Sequence, residues 1–207
     1  MTAKPLDRFF TVFAAAYGER ATAPLTVIVT GATAGLVLGS VRPSRDVDFA
    51  VVFARRPGES TWAAVEAAAR EATHRTGLAA QFAEDIGRWS MISFLDYPRH
   101  ARLHKQFGRV EVRLLEPAYW AIGKLARSLD SDIRDLVQVL RRQRLAPVPV
   151  ARVWGRALKA SPRSTACWQF RRQVEHFFTT HGRAVWGNLF EPSRAIQIFH
   201  RAAGVRD

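Results

Sequence analysis

An uncharged, β-branched run, Leu25-Thr26-Val27-Ile28-Val29, ends in Thr30-Gly31-Ala32 and a short apolar helix, and no other stretch constrains the fold as much. The run reads as a buried strand. Gly31 permits a tight strand-to-helix turn, and a helix over about Ala32 to Leu38 leaves its first amides free for an anion. Gly39 and Ser40 end that helix. After the lead-in Arg42-Pro43-Ser44-Arg45, the residues Asp46-Val47-Asp48 open a second strand running to Phe53. The side-chain period of two sets both carboxylates on one face, roughly 7 Å apart along the backbone, and turns Val47 and Phe49 to the core. Two carboxylates beside a turn shaped for phosphate suit divalent ions that bridge phosphate oxygens, with metal ligands at Asp46 and Asp48.

Two other phosphate turns compete for the same glycine. Val29-Thr30-Gly31-Ala32-Thr33-Ala34-Gly35 resembles the TGxxxGxG turn of short-chain dehydrogenases, with Asp46 or Asp48 standing in for the acid that holds a ribose. Three features oppose it. Val37 occupies the place of the last glycine, the two acids open their strand where a ribose acid closes one, and Tyr119 and Lys124 are five apart where that family needs four. A Walker loop fails because no Gly-Lys-Ser/Thr follows Gly35.

The glycine turn, short helix and paired aspartates resemble the nucleotidyltransferase superfamily that includes DNA polymerase β. More narrowly, Gly31, Arg42, Ser44, Asp46 and Asp48 match the pattern of the AbiEii-like and DUF6036 toxin-type nucleotidyltransferases of bacterial toxin–antitoxin pairs. The resemblance implies an α+β fold with a mixed sheet, and transfer of an NMP from an NTP to an acceptor with Mg2+ or Mn2+. It also implies a toxin role, an antitoxin partner and tRNA or other RNA as acceptor. Ala32 departs from the pattern, which has Gly or Ser there; Thr30 or Thr33 would have to supply the missing hydroxyl.

Farther along, Asp7 to Tyr17 reads as an aromatic docking helix. Ser60 is expected to cap a helix reaching Thr76 and stopping at Gly77. Leu78 to Phe82, Ser90 to Leu95 and Arg109 to Leu115 read as strands, giving a mixed sheet with helices against it. Polymerase-β-like sites take a third carboxylate from a later strand, and Glu111 is the candidate, as ligand or as base. The alternative reading makes Glu111 an exposed cross-strand partner for an arginine. Asp85 and Glu84 are weaker candidates. Pro117 opens a helix to Ser128, and Asp130 or Ser131 caps a second reaching Arg144. Lys124-Leu125-Ala126-Arg127 followed by Asp132 and Asp135 again resembles the toxin-type enzymes. That resemblance implies Lys124 on the triphosphate, where it would offset charge on departing pyrophosphate, with Asp132 or Asp135 bracing the site. Read alone, Lys124 is a surface lysine and Asp132 a first-turn acid facing a helix dipole.

Ala146-Pro147-Val148-Pro149 is the expected boundary between a nucleotidyltransferase core, 1–146, and a basic helical region, 147–207. From Ala151 onward ten Arg or Lys stand against three acids, interleaved with aromatics, a composition that suits RNA. Arg152, Arg156, Arg163, Arg171 and Arg172 are the candidate phosphate contacts, while Phe177 and Phe178 read as core. His176, His181 and His200 lack metal spacing. The whole chain carries 31 basic and 18 acidic residues, net +13, which favours a polyanionic partner; an arginine-rich genome is the alternative cause. Lone Cys167 excludes an internal disulfide framework. The stretch Met1 to Asp7 lacks an apolar leader core, so the expectation is a cytoplasmic protein without a membrane span. Two other classes stay open: an enzyme that places the nucleotide on a partner protein, and a non-catalytic nucleic-acid-binding module.

Overall fold

The computed structural model describes residues 4–53 and 57–205. Met1 to Ala3, part of the stretch read for a leader, lie outside the described residues. The fold is α+β, with a five-stranded mixed sheet and, among the described residues, eight α-helices. None of those helices is long and apolar enough to cross a membrane. The chain divides into two compact units, one of Met1–Val37, Arg42–Ile86 and Pro98–Leu115, the other of Leu38–Val41, Gly87–Tyr97 and Glu116–Asp207. The division falls at Leu115/Glu116 and not at the proline-rich segment near 146. Pro147 and Pro149 sit in the first turn of a helix, where a missing N–H breaks no bond, so they start an element without ending a domain.

The first unit holds the sheet. Its strands are β1 (Leu25–Thr30), β2 (Asp46–Val52), β3 (Ala79–Ala83), β4 (Ala101–Phe107) and β5 (Val110–Leu115), in spatial order β3-β2-β1-β5-β4. β1 runs antiparallel to β2 and parallel to β5, while β2 and β3 are parallel and β4 and β5 antiparallel. Helix α1 (Lys4–Gly18) places Phe9, Phe10 and Phe13, all fully buried, around the inward ring of Phe49, with centroids 5.6–6.3 Å apart. Edge-to-face aromatic contact adds to the burial of these rings. Helix α3 (Glu59–Thr76) packs beside α1 and stops at Gly77 in the left-handed conformation, as expected. Its N-cap is Gly58 and no side chain caps it, so Ser60 lies inside the helix. Helix α2 (Gly31–Leu38) follows β1 without a linker.

One expected strand is absent and one strand goes unpredicted, each for an identifiable reason. Ser90 to Leu95 forms no strand because Ser90 Oγ accepts the Ile92 amide and Ser93 Oγ accepts the Leu95 amide, each at 3.0 Å. Such local side-chain bonds take amides that a ladder needs. β4, by contrast, escapes the sequence reading. It is an edge strand carrying Arg102, His104 and Lys105, and charge on an edge masks the alternation that reveals a strand.

The second unit is helical: α4 (Pro117–Arg127), α5 (Asp130–Arg142), α6 (Pro147–Ala160), α7 (Thr165–Trp186) and α8 (Pro192–Ala203). Trp154, Phe177, Phe178, Trp186 and Phe190 form its aromatic core, so Phe177 and Phe178 are core as read from the sequence. The indoles are satisfied, with Trp154 Nε1 donating to the Ala118 carbonyl and Trp186 Nε1 to that of Leu145.

Candidate active site

β1 delivers the chain to Gly31, which adopts φ +66°. A Cβ built at Gly31 would fall 1.7 Å from Asp48 Oδ2 and 2.6 Å from its Cγ. Glycine is therefore required twice over, by a backbone angle that other residues rarely hold and by a carboxylate packed against its Cα. The register explains the approach: Asp48 is the cross-strand partner of Thr30, the last residue of β1. Asp46 lies two residues nearer the strand start on the same face, and both acids are half-buried while Val47 between them is fully buried.

The lead-in is fastened to this pair. Ser44 Oγ donates to the Asp46 carboxylate at 2.5 Å and to its carbonyl at 3.0 Å, fixing the turn into β2. Thr33 Oγ1 donates to the Asp46 carbonyl, tying the first turn of α2 to the start of β2. That hydroxyl is thereby engaged, so of the two candidates to stand in for the residue replaced by Ala32, only Thr30 is left, and it is 9% exposed. Arg42 is half-buried at the beginning of the lead-in.

Glu111 does not join the pair. It stands in register with Thr26, four residues along β1 from Thr30. At about 3.4 Å per residue and about 4.8 Å per strand, it lies roughly 13 Å along and roughly 10 Å across from Asp48. Its carboxylate, half-buried, accepts from Arg113 Nε at 2.5 Å, an arginine two residues along the same strand and not the cross-strand partner of the alternative reading. At the height of Asp48, β5 offers Leu115, since Leu114 pairs with Val29. Among the described residues no group of three His, Cys, Asp or Glu side chains is placed to hold a metal. The arrangement is a two-carboxylate site.

Lys124, expected at the triphosphate, is committed elsewhere. Its side chain is 2% exposed, and its Nζ donates to Asp132 Oδ1 at 2.8 Å and Asp135 Oδ2 at 2.9 Å. Arg127 adds a two-point contact to Asp132, at 3.0 and 3.1 Å, and the Lys124 ammonium lies over the Trp120 ring. Asp132 is thus the centre of a buried ion cluster within the helical unit. The cluster includes a residue that the sequence reading took only as a helix end: Ser40 Oγ donates to Asp135 Oδ1 at 2.6 Å. Around it, Gln143 Nε2 donates to the Leu38 carbonyl and the Val41 amide donates to Gln138 Oε1. Segment Leu38–Val41, which belongs to the helical unit and directly precedes Arg42, is held by α5 and its C-cap Gln143 through three contacts. No local signal marks these partners.

The five candidate phosphate contacts separate into different settings. Arg171 is paired with Glu175 at 2.7 Å, which His200 also contacts at 2.6 Å. Arg172 lies 4.9 Å from the centre of the Trp168 ring, and that indole is 58% exposed. Arg163 is exposed in the loop before α7, and Arg152 and Arg156 are exposed on α6. No family model, curated protein or solved structure matches this chain. The fold and site define only a class, an α+β protein with paired carboxylates at a glycine turn.

Proposed function

We propose that this chain is a metal-dependent nucleotidyltransferase that moves an NMP from an NTP to an acceptor hydroxyl and releases pyrophosphate. The observation that carries the reading is the seating of the Asp48 carboxylate against Gly31, which joins a helix start and an acid pair in one place. Asp46 and Asp48 fit a hard divalent cation, Mg2+ or Mn2+, since such ions bind through one or two carboxylates together with substrate phosphates. Bound there, the ion would supply charge neutralisation at the phosphate oxygens.

In the reaction the acceptor oxygen bonds to the α-phosphorus, the bond from that phosphorus to the bridging oxygen breaks, and the acceptor proton passes to solvent. The amides at the start of α2 orient the phosphates. Ser44 holds the Asp46 carboxylate in place, and Asp48 is held by the packing against Gly31. RNA, tRNA included, is the favoured acceptor: the net charge of +13 suits a polyanion, and Trp168 under Arg172 offers an exposed ring for a base. A toxin role, an antitoxin partner and a cytoplasmic setting rest on the family resemblance and the sequence alone.

The test offers each of the four α-labelled NTPs to the wild-type chain with total RNA and total protein, beside Asp46→Ala/Asp48→Ala. Label on RNA that disappears in the double variant is the expected result. Label on a protein band would instead make the chain a protein-modifying enzyme. Transfer unchanged in the double variant, or no transfer by either form, would overturn the enzymatic reading in favour of a nucleic-acid-binding module.

A further inference from the structure

The α6–α8 pair carries a surface that nucleotidyl transfer does not use. The two helices touch closely because residue 155 is glycine: a Cβ there would fall 2.5 Å from the Phe199 carbonyl and 2.6 Å from Ala202 Cβ. Along this seam lies an open trough of about 580 Å3 with an aliphatic floor of Pro149, Val153, Ile198 and Ala202. Arg152, Arg156 and Arg201 border it, and no acid lines it. Ile198 is shared with an adjoining hollow of about 310 Å3, lined by both Arg194 and Glu191 beside Leu189, a leucine 96% exposed.

The three bordering arginines are exposed, and among the described residues none has a carboxylate within ion-pair distance. Arg156 meets the neutral hydroxyl of Tyr119. Elsewhere in the same unit arginines find acids, as Arg127 does Asp132 and Arg171 does Glu175. Helical geometry puts Arg152 and Arg156 one turn apart, about 6 Å along α6, and aligns Arg194, Ile198 and Arg201 on one face of α8. An aliphatic strip thus runs between rows of guanidinium groups from two helices.

We infer that this trough is a docking site for an acidic amphipathic helix of a partner protein. Apolar side chains at i, i+3, i+4 and i+7 of such a helix would fill the strip, and carboxylates on its flanks would meet the arginines. Charge complementarity selects an acidic occupant, and the floor selects a protein over a nucleic acid. A sugar-phosphate backbone would use the guanidinium groups but leave the aliphatic strip wet, and the larger hollow has no ring on which a base could stack. α8, at twelve residues, is about 18 Å long and matches roughly three turns of a docked helix. The proposal stands independently of the nucleotidyltransferase reading.

The test is fluorescence anisotropy with the full chain. The probes are a labelled peptide of about four helical turns with leucines on one face and glutamates on the other, a scrambled peptide of the same composition, and oligouridylate of about 20 nucleotides. The amphipathic peptide is expected to bind at least about tenfold tighter than the scrambled one, and R152E/R156E/R201E to weaken it by at least about tenfold. Ile198→Asp should abolish the preference between the two peptides while leaving oligouridylate binding unchanged. Circular dichroism confirms that each variant is folded; should I198D unfold, I198S serves the same comparison. Equal binding of both peptides, or undiminished binding to the arginine variant, would overturn the proposal. Oligouridylate that displaces the peptide and weakens equally in the arginine variant would give the trough to nucleic acid instead.

Discussion

Replacing Lys124 by methionine removes the one ammonium shared by two buried carboxylates and keeps the length of the side chain. Lys124, Asp132 and Asp135 are each 1–2% exposed, so no solvent can take over the lost charge. Breaking a buried pair by deleting one partner costs about 3–5 kcal/mol, because the stranded charge stays desolvated. Here Asp132 keeps the two-point contact from Arg127 and Asp135 keeps the Ser40 hydroxyl, which places the expected loss near the lower end, about 3 kcal/mol. With a urea slope of about 1.5 kcal/mol per molar, the midpoint should fall by about 2 M. Tryptophan fluorescence is the assay of choice: Trp89, Trp120, Trp154, Trp168 and Trp186 lie in the helical unit and only Trp62 in the sheet unit, so the signal follows the unit that holds the cluster. Coincidence with the circular dichroism transition checks that one midpoint describes the unfolding. The neutral triple variant K124M/D132N/D135N should recover to within about 1 kcal/mol of wild type, since replacing a whole buried ion cluster is far milder than breaking it. A single-variant loss under about 1 kcal/mol, or a triple variant no better than the single, would refute the reasoning. The triple variant also decides the role of the lysine. If it folds and retains NTP affinity, Lys124 is a brace; if it folds and loses that affinity, the triphosphate contact implied by the family resemblance stands.

Gly31→Ala should lower stability by about 1–2 kcal/mol from the left-handed backbone and also displace Asp48, weakening Mn2+ binding read by paramagnetic resonance; wild-type Mn2+ affinity would contradict the packing described for the pair. Glu111→Gln should leave kcat/KM for transfer within about twofold of wild type, given its distance from Asp48, whereas a loss of about a hundredfold or more would mark it as a catalytic base. Burial opposes ionisation of Glu175, but hydrogen bonds from Arg171 and His200 outweigh it and hold the carboxyl below its usual range. A depressed carboxyl pKa stabilises the fold above the unfolded value of about 4.3 and loses that contribution as pH falls through the folded value. Glu175→Gln should therefore melt lower than wild type at neutral pH, by about 1 kcal/mol at most, with the difference closing as pH falls through the folded value; a gap that persists in acid would contradict the assignment.

The parts of the site that were legible in the sequence are those fixed by neighbours in the chain. Gly31 follows β1 directly, and the period of two forces Asp46 and Asp48 onto one face whatever the rest of the fold does. Glu111 shows where that reasoning stops. Alternation identified the face correctly, for Glu111 shares it with Asp48 through Thr26 and Thr30, but a face says nothing of height. Height is set by register between strands, and register depends on hydrogen bonds to residues more than eighty positions away, which no local pattern records.

The same distinction governs the helical cluster. Lys124, Asp132 and Asp135 were legible as a charged group on α4 and α5, because their spacing alone brings them near one another across a short turn. Their burial was not, since it depends on Ser40, 95 residues from Asp135. Once Ser40 is included, Asp135 and Gln138 of α5 and its C-cap Gln143 form a consistent set, each meeting the segment that ends α2 and precedes Arg42. Of these only Asp135 is buried, and at that position a helix with no role beyond packing would keep an apolar side chain, because an unmatched buried polar group costs about 1–3 kcal/mol in desolvation. That all three are matched to one four-residue segment makes α5 the anchor of that segment. Ser40→Ala is then the smallest change that tests the anchor, since it deletes one hydroxyl and leaves both glutamines in place.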